Sequence, residues 1–144
     1  MKVAVIYWSG TGNTEAMAKA IGEGITEAGG EAIVKTVSKA TLEDVLQADA
    51  VALGSPSMGS EVLEEDEFEP FIANLKGQPV VGKVAGAFGS YDWGDGQWMR
   101  DFVARLGDYG FKVVGDGLII QLTPDGEGLE KCRDYGKAIV AAGK

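Results

Sequence analysis

The stretch Val3-Ala4-Val5-Ile6-Tyr7-Trp8-Ser9-Gly10-Thr11-Gly12-Asn13-Thr14 decides the fold. Val3 to Tyr7 is an apolar run that reads as a strand, and beyond the loop Met17, Ala18, Ile21 and Ile25 fall on one face at helical spacing. Between strand and helix stand two glycines, three hydroxyl side chains and no positive charge. A strand that turns tightly into a helix leaves free backbone N–H groups beyond the strand's carboxyl end, where the helix dipole also favours an anion. Gly10 and Gly12 let the backbone approach closely and take positive φ. Ser9, Thr11 and Thr14 add hydroxyls, and Asn13 offers an amide donor or a helix cap. The loop lacks the Gly-Lys-Ser/Thr ending of a triphosphate-binding loop and the third glycine of the dinucleotide fingerprint. It suits a phosphate monoester; the bland alternative is a glycine-rich surface turn.

Working outward, apolar runs alternate with helical patterns along the rest of the chain. Strands are expected at 2–7, 32–37, 49–54, 81–88 and 113–120, the last interrupted by Gly115-Asp116-Gly117. Helices are expected near 13–28, 41–46, 66–75, 97–108 and 126–142, with Gly29-Gly30 closing the first. Runs such as Ala50-Val51-Ala52-Leu53 do not alternate, as suits strands buried on both faces of a parallel sheet. Right-handed crossovers then give an α/β fold, a doubly wound five-stranded parallel sheet with helices on both faces. No repeat or linker divides residues 1–144, so one domain is expected. Ligands of such sheets bind beyond the carboxyl ends of the strands, where the strand order reverses.

Two further loops reach that edge. The third strand runs into Gly54-Ser55-Pro56-Ser57-Met58-Gly59-Ser60-Glu61, the fourth into Gly89-Ser90-Tyr91-Asp92-Trp93-Gly94-Asp95-Gly96-Gln97-Trp98. Met58 and Trp93 are flanked by small or charged residues and lie on no periodic core face. Either alone means little, since exposed apolar residues are common. On loops that converge on a phosphate site, the pair suggests the two jaws of a slot for a flat ring. Trp98 opens an amphipathic helix with Phe102 and Leu106 and is assigned to the core.

Composition narrows the function. Lys and Arg total 13 against 22 Asp and Glu, a net charge of -9, which argues against nucleic acid and acidic membranes and favours basic partners. Six of the nine residues from Glu61 to Glu69 are acidic. They form a solvated helix start that complements the dipole, a docking patch, or both. With no histidine and a single cysteine, structural zinc is excluded, and with no histidine so is a Ser-His-Asp triad. Cys132 is the only cysteine and falls on a helical stripe as a buried, inert thiol. The start of the chain carries no signal-peptide pattern and no run is long enough to span a membrane, so a cytoplasmic protein is expected.

The three loops together, Trp8-Ser-Gly-Thr-Gly-Asn-Thr14, Met58-Gly-Ser-Glu61 and Gly89-Ser-Tyr-Asp-Trp-Gly-Asp-Gly96, resemble those of the short-chain flavodoxins, and the resemblance covers the whole chain. Flavodoxins are the standing example of the sheet order 2-1-3-4-5 with flavin mononucleotide (FMN) at the switch point, so order and placement are carried over from the family. The resemblance implies that Trp8, Ser9, Gly10, Thr11, Gly12, Asn13 and Thr14 surround the FMN phosphate, with Ser90 closing the site. Ser57, Met58, Gly59, Ser60 and Glu61, together with Tyr91, Asp92, Trp93 and Gly94, would enclose the ring. Met58 and Trp93 would sandwich it and Glu61 would accept from its N3–H. The peptide after Gly59 would flip on reduction so that its carbonyl accepts N5–H. Asp92 stands where close relatives have glycine, Ser60 where many have aspartate, and Pro56 where a small residue is frequent. These changes leave the binding groups in place but alter charge and stiffness beside the ring.

The function implied is a low-potential one-electron carrier cycling mainly between semiquinone and hydroquinone, a monomer that docks transiently on basic redox proteins. An FMN-dependent quinone or nitro-compound reductase is the alternative; it needs room over the ring for nicotinamide, which the two jaws deny. A phosphorylated receiver domain would need clustered acids after the first strand, where Trp8-Ser9 stand.

Overall fold

Side chains of the central strands point alternately into two separate apolar layers, which is why these strands carry no polar face. The computed structural model describes residues 1–144. Its strands are β1 (Lys2–Tyr7), β2 (Glu31–Thr36), β3 (Ala50–Gly54), β4 (Val84–Tyr91), β5 (Lys112–Val113) and β6 (Leu118–Gln121). The helices are α1 (Asn13–Glu27), α2 (Leu42–Leu46), α3 (Phe68–Ala73), α4 (Gln97–Tyr109) and α5 (Gly126–Gly143). All pairings are parallel in the order β2-β1-β3-β4-β5, with β6 also paired to β4. Val3, Val5 and Tyr7 of β1 pack with Met17, Ile21 and Ile25 of α1 and Ile139 of α5. Ala4 and Ile6 face the other layer, with Phe68, Ile72, Trp98, Phe102 and Leu106. Each large apolar side chain so enclosed contributes about 1.5–3 kcal/mol.

The expected doubly wound sheet is present, and the differences from the sequence reading are local. The fourth strand starts at Val84 rather than 81, because Val80 to Lys83 form a turn with Gly82 at φ 84° and Val81 exposed. At its other end β4 continues to Tyr91, carrying Ser90 and Tyr91 to the sheet's carboxyl edge in register with Ile120 and Gln121. The fifth strand is two short strands either side of Val114–Gly117. Tyr135 of α5 stitches the break: its hydroxyl donates to the Val114 carbonyl at 2.8 Å and accepts from Ala87 N–H at 3.1 Å. The third helix is shorter than expected, 68–73 instead of 66–75.

Candidate functional site

The loops after β1, β3 and β4 meet at the carboxyl edge of the sheet. Trp8 N–H donates to the Gly54 carbonyl at 3.0 Å, Ser55 N–H to the Phe88 carbonyl at 3.1 Å and Ser57 N–H to the Ser90 carbonyl at 2.9 Å. Each loop therefore leaves the sheet already fastened to its neighbour.

In the first loop the Ser9 hydroxyl accepts from Gly12 N–H at 3.1 Å and Glu15 N–H at 3.2 Å, so its own hydrogen remains to donate. Thr14 is buried, and its hydroxyl lies 2.9 Å from that of Ser90, joining the first loop to the end of β4. Gly12, at φ 95°, is the N-cap of α1. Asn13 is thus the first helical residue and not the cap, a correction to one of its two expected roles; its side chain stays in the site. The N–H groups of Ser9, Gly10, Thr11 and Thr14 donate to no acceptor within the protein, as expected of the free donors ahead of a helix. These orphan donors, with no Lys or Arg among the residues lining the cleft, are what a phosphate monoester needs.

Trp8, Gly10, Thr11 and Asn13 form one wall of a cleft of about 150 Å³, and Pro56, Ser57 and Met58 with Ser90, Tyr91 and Asp92 form the rest. Tyr91 leans on Trp98, ring centroids 5.6 Å apart. Trp98 is buried as expected, and its Nε1 donates to the Ser55 carbonyl at 3.2 Å. A larger hollow of about 600 Å³ between α4 and the β5–β6 connection contains none of the assigned residues.

Beyond the cleft, Met58 and Val62 pair across a tight hairpin, Met58 N–H to the Val62 carbonyl at 2.8 Å and the reverse bond at 3.0 Å. Gly59, Ser60 and Glu61 form its tip, with φ of 51° at Gly59 and 58° at Glu61. No atom lies within 4 Å of where a Gly59 Cβ would stand, so backbone conformation and not space demands glycine there. The Glu61 carboxylate turns toward the start of α4, its Oε1 accepting from Gly96 N–H at 3.3 Å and Gln97 N–H at 3.2 Å. Gly94 permits this, because a Cβ there would lie 2.5 Å from that carboxylate. Trp93 is 62% exposed and Met58 37%, two apolar side chains on opposite loops.

The acidic run divides in two. Glu65, Asp66 and Glu67 are exposed, but Glu64 is only 5% exposed, and its carboxylate accepts from the N–H groups ahead of α3. Glu69 forms a two-pronged pair with Arg105, whose Nη1 lies 2.7 Å from Oε1. Glu64 is therefore removed from the expected docking patch. Burial pushes its carboxyl up, yet hydrogen bonds from Phe68, Glu67 and Asp66 outweigh that and hold it below the usual carboxylate range. In the sequence reading Glu64 and Glu67 are only members of the acidic run and Ser55 has no role; neither the burial of Glu64 nor the Ser55–Glu64 and Trp8–Glu67 bonds are contained in it. The one available signal was Glu64 standing shortly ahead of an apolar helical pattern, where an acid can cap.

A glycine-rich loop with free N–H donors and two exposed apolar side chains, at the switch point of a doubly wound sheet, suit the class of mononucleotide-binding α/β proteins. The flavodoxin family model matches residues 5–136. The chain is 48% identical over 135 residues to the flavodoxin of Clostridium beijerinckii, covering 94% of this chain and 96% of that one. With the flavodoxin of Megasphaera elsdenii it shares 39% over 140 residues, covering 97% and 99%. Oxidised Flavodoxin 1 from Bacillus cereus superposes with a TM-score of 0.87 at 32% identity, over 98% of both chains. The chain belongs to the flavodoxin family: it is an electron-transfer protein rather than an enzyme, and its cofactor is FMN.

Proposed function

We propose that this flavodoxin is a low-potential one-electron carrier that works mainly between the semiquinone and hydroquinone forms of FMN. The observation that carries the reading is the charge around the cleft: its lining residues include Asp92 and no Lys or Arg, Glu61 and Glu67 stand beside it, and Asp95 is paired with Arg100 at 3.0 Å. The phosphate is held by Ser9, Thr11, Asn13 and Thr14, by the free loop amides and by Ser90, so its charge stays uncompensated. Met58 and Trp93 cover the two ring faces, and Glu61 accepts from the pyrimidine edge. The Gly59 carbonyl is available to accept a proton-bearing N5 once the peptide turns. One unit charge about 10 Å away changes the energy of an added negative charge by roughly 0.4–1.7 kcal/mol, for dielectrics of about 80 down to 20. For one electron that is about 20–70 mV. Several acids and an uncompensated phosphate therefore lower the second reduction potential strongly.

The same reading makes the protein a cytoplasmic monomer that meets basic redox partners through Glu65, Asp66, Asp92 and Asp95, without Glu64. Stepwise reduction of the purified protein followed by absorbance tests it. The expected result is a long-wavelength radical band at half reduction and a second potential well below the first. A single two-electron step without a radical would overturn it.

A further inference from the structure

A buried carboxylate without a cationic partner is rare, because removing its charge from water is costly unless donors replace the lost hydration. Glu64 obtains them from the backbone alone. Its Oε1 accepts from Glu67 and Phe68 N–H, both at 2.8 Å, and its Oε2 from Asp66 N–H at 2.9 Å. Its own N–H donates to the hydroxyl of Ser55, fully buried at the end of β3, at 3.0 Å. That hydroxyl donates onward to the Pro56 carbonyl at 2.9 Å, on the entry side of the Met58–Val62 hairpin. Leu63 and Glu64, immediately after the hairpin, are both buried, whereas Met58, Gly59, Ser60 and Val62 are exposed. The hairpin thus has a pinned base, and its tip is held only through the Glu61 carboxylate on Gly96 and Gln97 N–H.

The other end of the site is reached through α3. The Glu67 N–H is one of the groups that Glu64 holds, and the Glu67 Oε1 accepts from Trp8 Nε1 at 3.3 Å. The Trp8 ring lies over Gly10 of the phosphate loop, so close that a Cβ on Gly10 would stand 2.9 Å from it.

We propose that Glu64 is a positioning residue for the flavin. Its carboxylate, set on the N–H groups at the start of α3, and its own N–H, set on the Ser55 hydroxyl, together fix the base of the ring-side hairpin and the Trp8 cover of the phosphate loop. Motion on reduction is thereby confined to Gly59, Ser60 and Glu61. The proposal deepens the FMN-site reading above and rests on it. It separates Glu64 from its exposed acidic neighbours, whose effect on the flavin is that of charge alone.

The test compares Glu64→Gln and Ser55→Ala with Glu65→Gln, which removes the same charge from the exposed neighbour. Glutamine keeps one acceptor oxygen and so loses part of the three-bond set; Ser55→Ala keeps every charge and carries the test should Glu64→Gln fail to fold. Both should bind FMN about tenfold more weakly, as loss of a hydrogen bond to a charged or buried group implies. Both should also lower the first reduction potential of the holoprotein, while Glu65→Gln leaves it in place. Loss of charge alone cannot do this, because it eases only the step that adds net negative charge. In the ligand-free protein, amide exchange should quicken at Gly59 to Val62 in both anchor variants and not in Glu65→Gln. If exchange quickens only at Asp66 to Phe68, with the first potential as in wild type, Glu64 is a helix cap and nothing more. A wild-type protein that takes up no FMN would overturn the functional reading instead, and exchange at Gly59 to Val62 would then decide the anchor by itself.

Discussion

The two ends of the site are built differently. At the end proposed for the phosphate the groups are interlocked: the Ser9 hydroxyl holds two amides, Thr14 and Ser90 touch across the sheet edge, and both of these are almost wholly buried. At the end proposed for the ring the backbone takes positive φ at Gly59, Glu61, Gly94 and Gly96, and Met58 and Trp93 stand in solvent. The difference follows the chemistry on the proposed reading. A phosphate keeps one charge state during turnover and rewards fixed, preorganised donors. A ring that gains electrons and a proton needs an acceptor that can be re-aimed, which a tight turn rich in glycine provides.

Removing donors from the rigid end should have the largest effect. Ser9→Ala with Thr14→Ala should weaken FMN by about 3 kcal/mol or more, on the order of a hundredfold. Riboflavin, which lacks the phosphate, should lose less than about tenfold. Equal losses measured by fluorescence titration would show that this loop does not hold the phosphate.

The base that separates the two ends is next. Glu64 carries a depressed folded-state pKa, so its contribution is fully present above the ordinary glutamate range and is lost as pH falls through the depressed value. Glu64→Gln should cost about 1.5–3 kcal/mol near neutral pH. The gap to wild type should close in acid, since a protonated Glu64 resembles glutamine. Urea unfolding at a series of pH values checks this, and a gap independent of pH would remove Glu64 from the list of ionised caps.

At the ring-side hairpin, a Cβ on Gly59 would meet no atom within 4 Å, so the effect of Gly59→Thr is backbone strain of about 1–3 kcal/mol. The first potential should fall and the second rise, by about 40–130 mV at most, with less radical at half reduction and oxidised FMN still bound. Unchanged radical yield with intact binding would show that another group meets N5–H. The smallest effect belongs to the exposed acids. Neutralising Glu65 and Asp66 should flatten the salt dependence of association with a basic redox partner, without changing the bound complex much. A salt slope equal to wild type would return these residues to the role of a solvated helix start.

How far the sequence spoke depends on the kind of interaction. The first strand, loop and helix were legible because apolar period, glycine and hydroxyls sit within a dozen consecutive residues. The exposure of Met58 and Trp93 was legible because they break the local pattern. Glu64 was not, because a buried glutamate and a solvated one look alike in an acidic run; what distinguishes them is Ser55, nine positions earlier and brought close only by the fold. Residue type leaves Asn13 either an amide donor or a cap; Gly12, left-handed one position earlier, takes the cap and leaves Asn13 inside the first turn. The stitch made by Tyr135 was equally silent, since it spans 21 residues to Val114 and 48 to Ala87. Local patterns identified the elements, and contacts between elements far apart in the chain set the details.

The division between a fixed phosphate end and a mobile ring end can be measured in one experiment. Backbone amide shifts and hydrogen exchange would be compared residue by residue between the oxidised and fully reduced holoprotein. The changes are expected to concentrate at Gly59, Ser60 and Glu61, to be weaker at Asp92 to Gly94, and to leave Ser9 to Thr14 and Glu64 to Phe68 as they were. Changes of equal size at Ser9 to Thr14, or none at Gly59 to Glu61, would contradict the account.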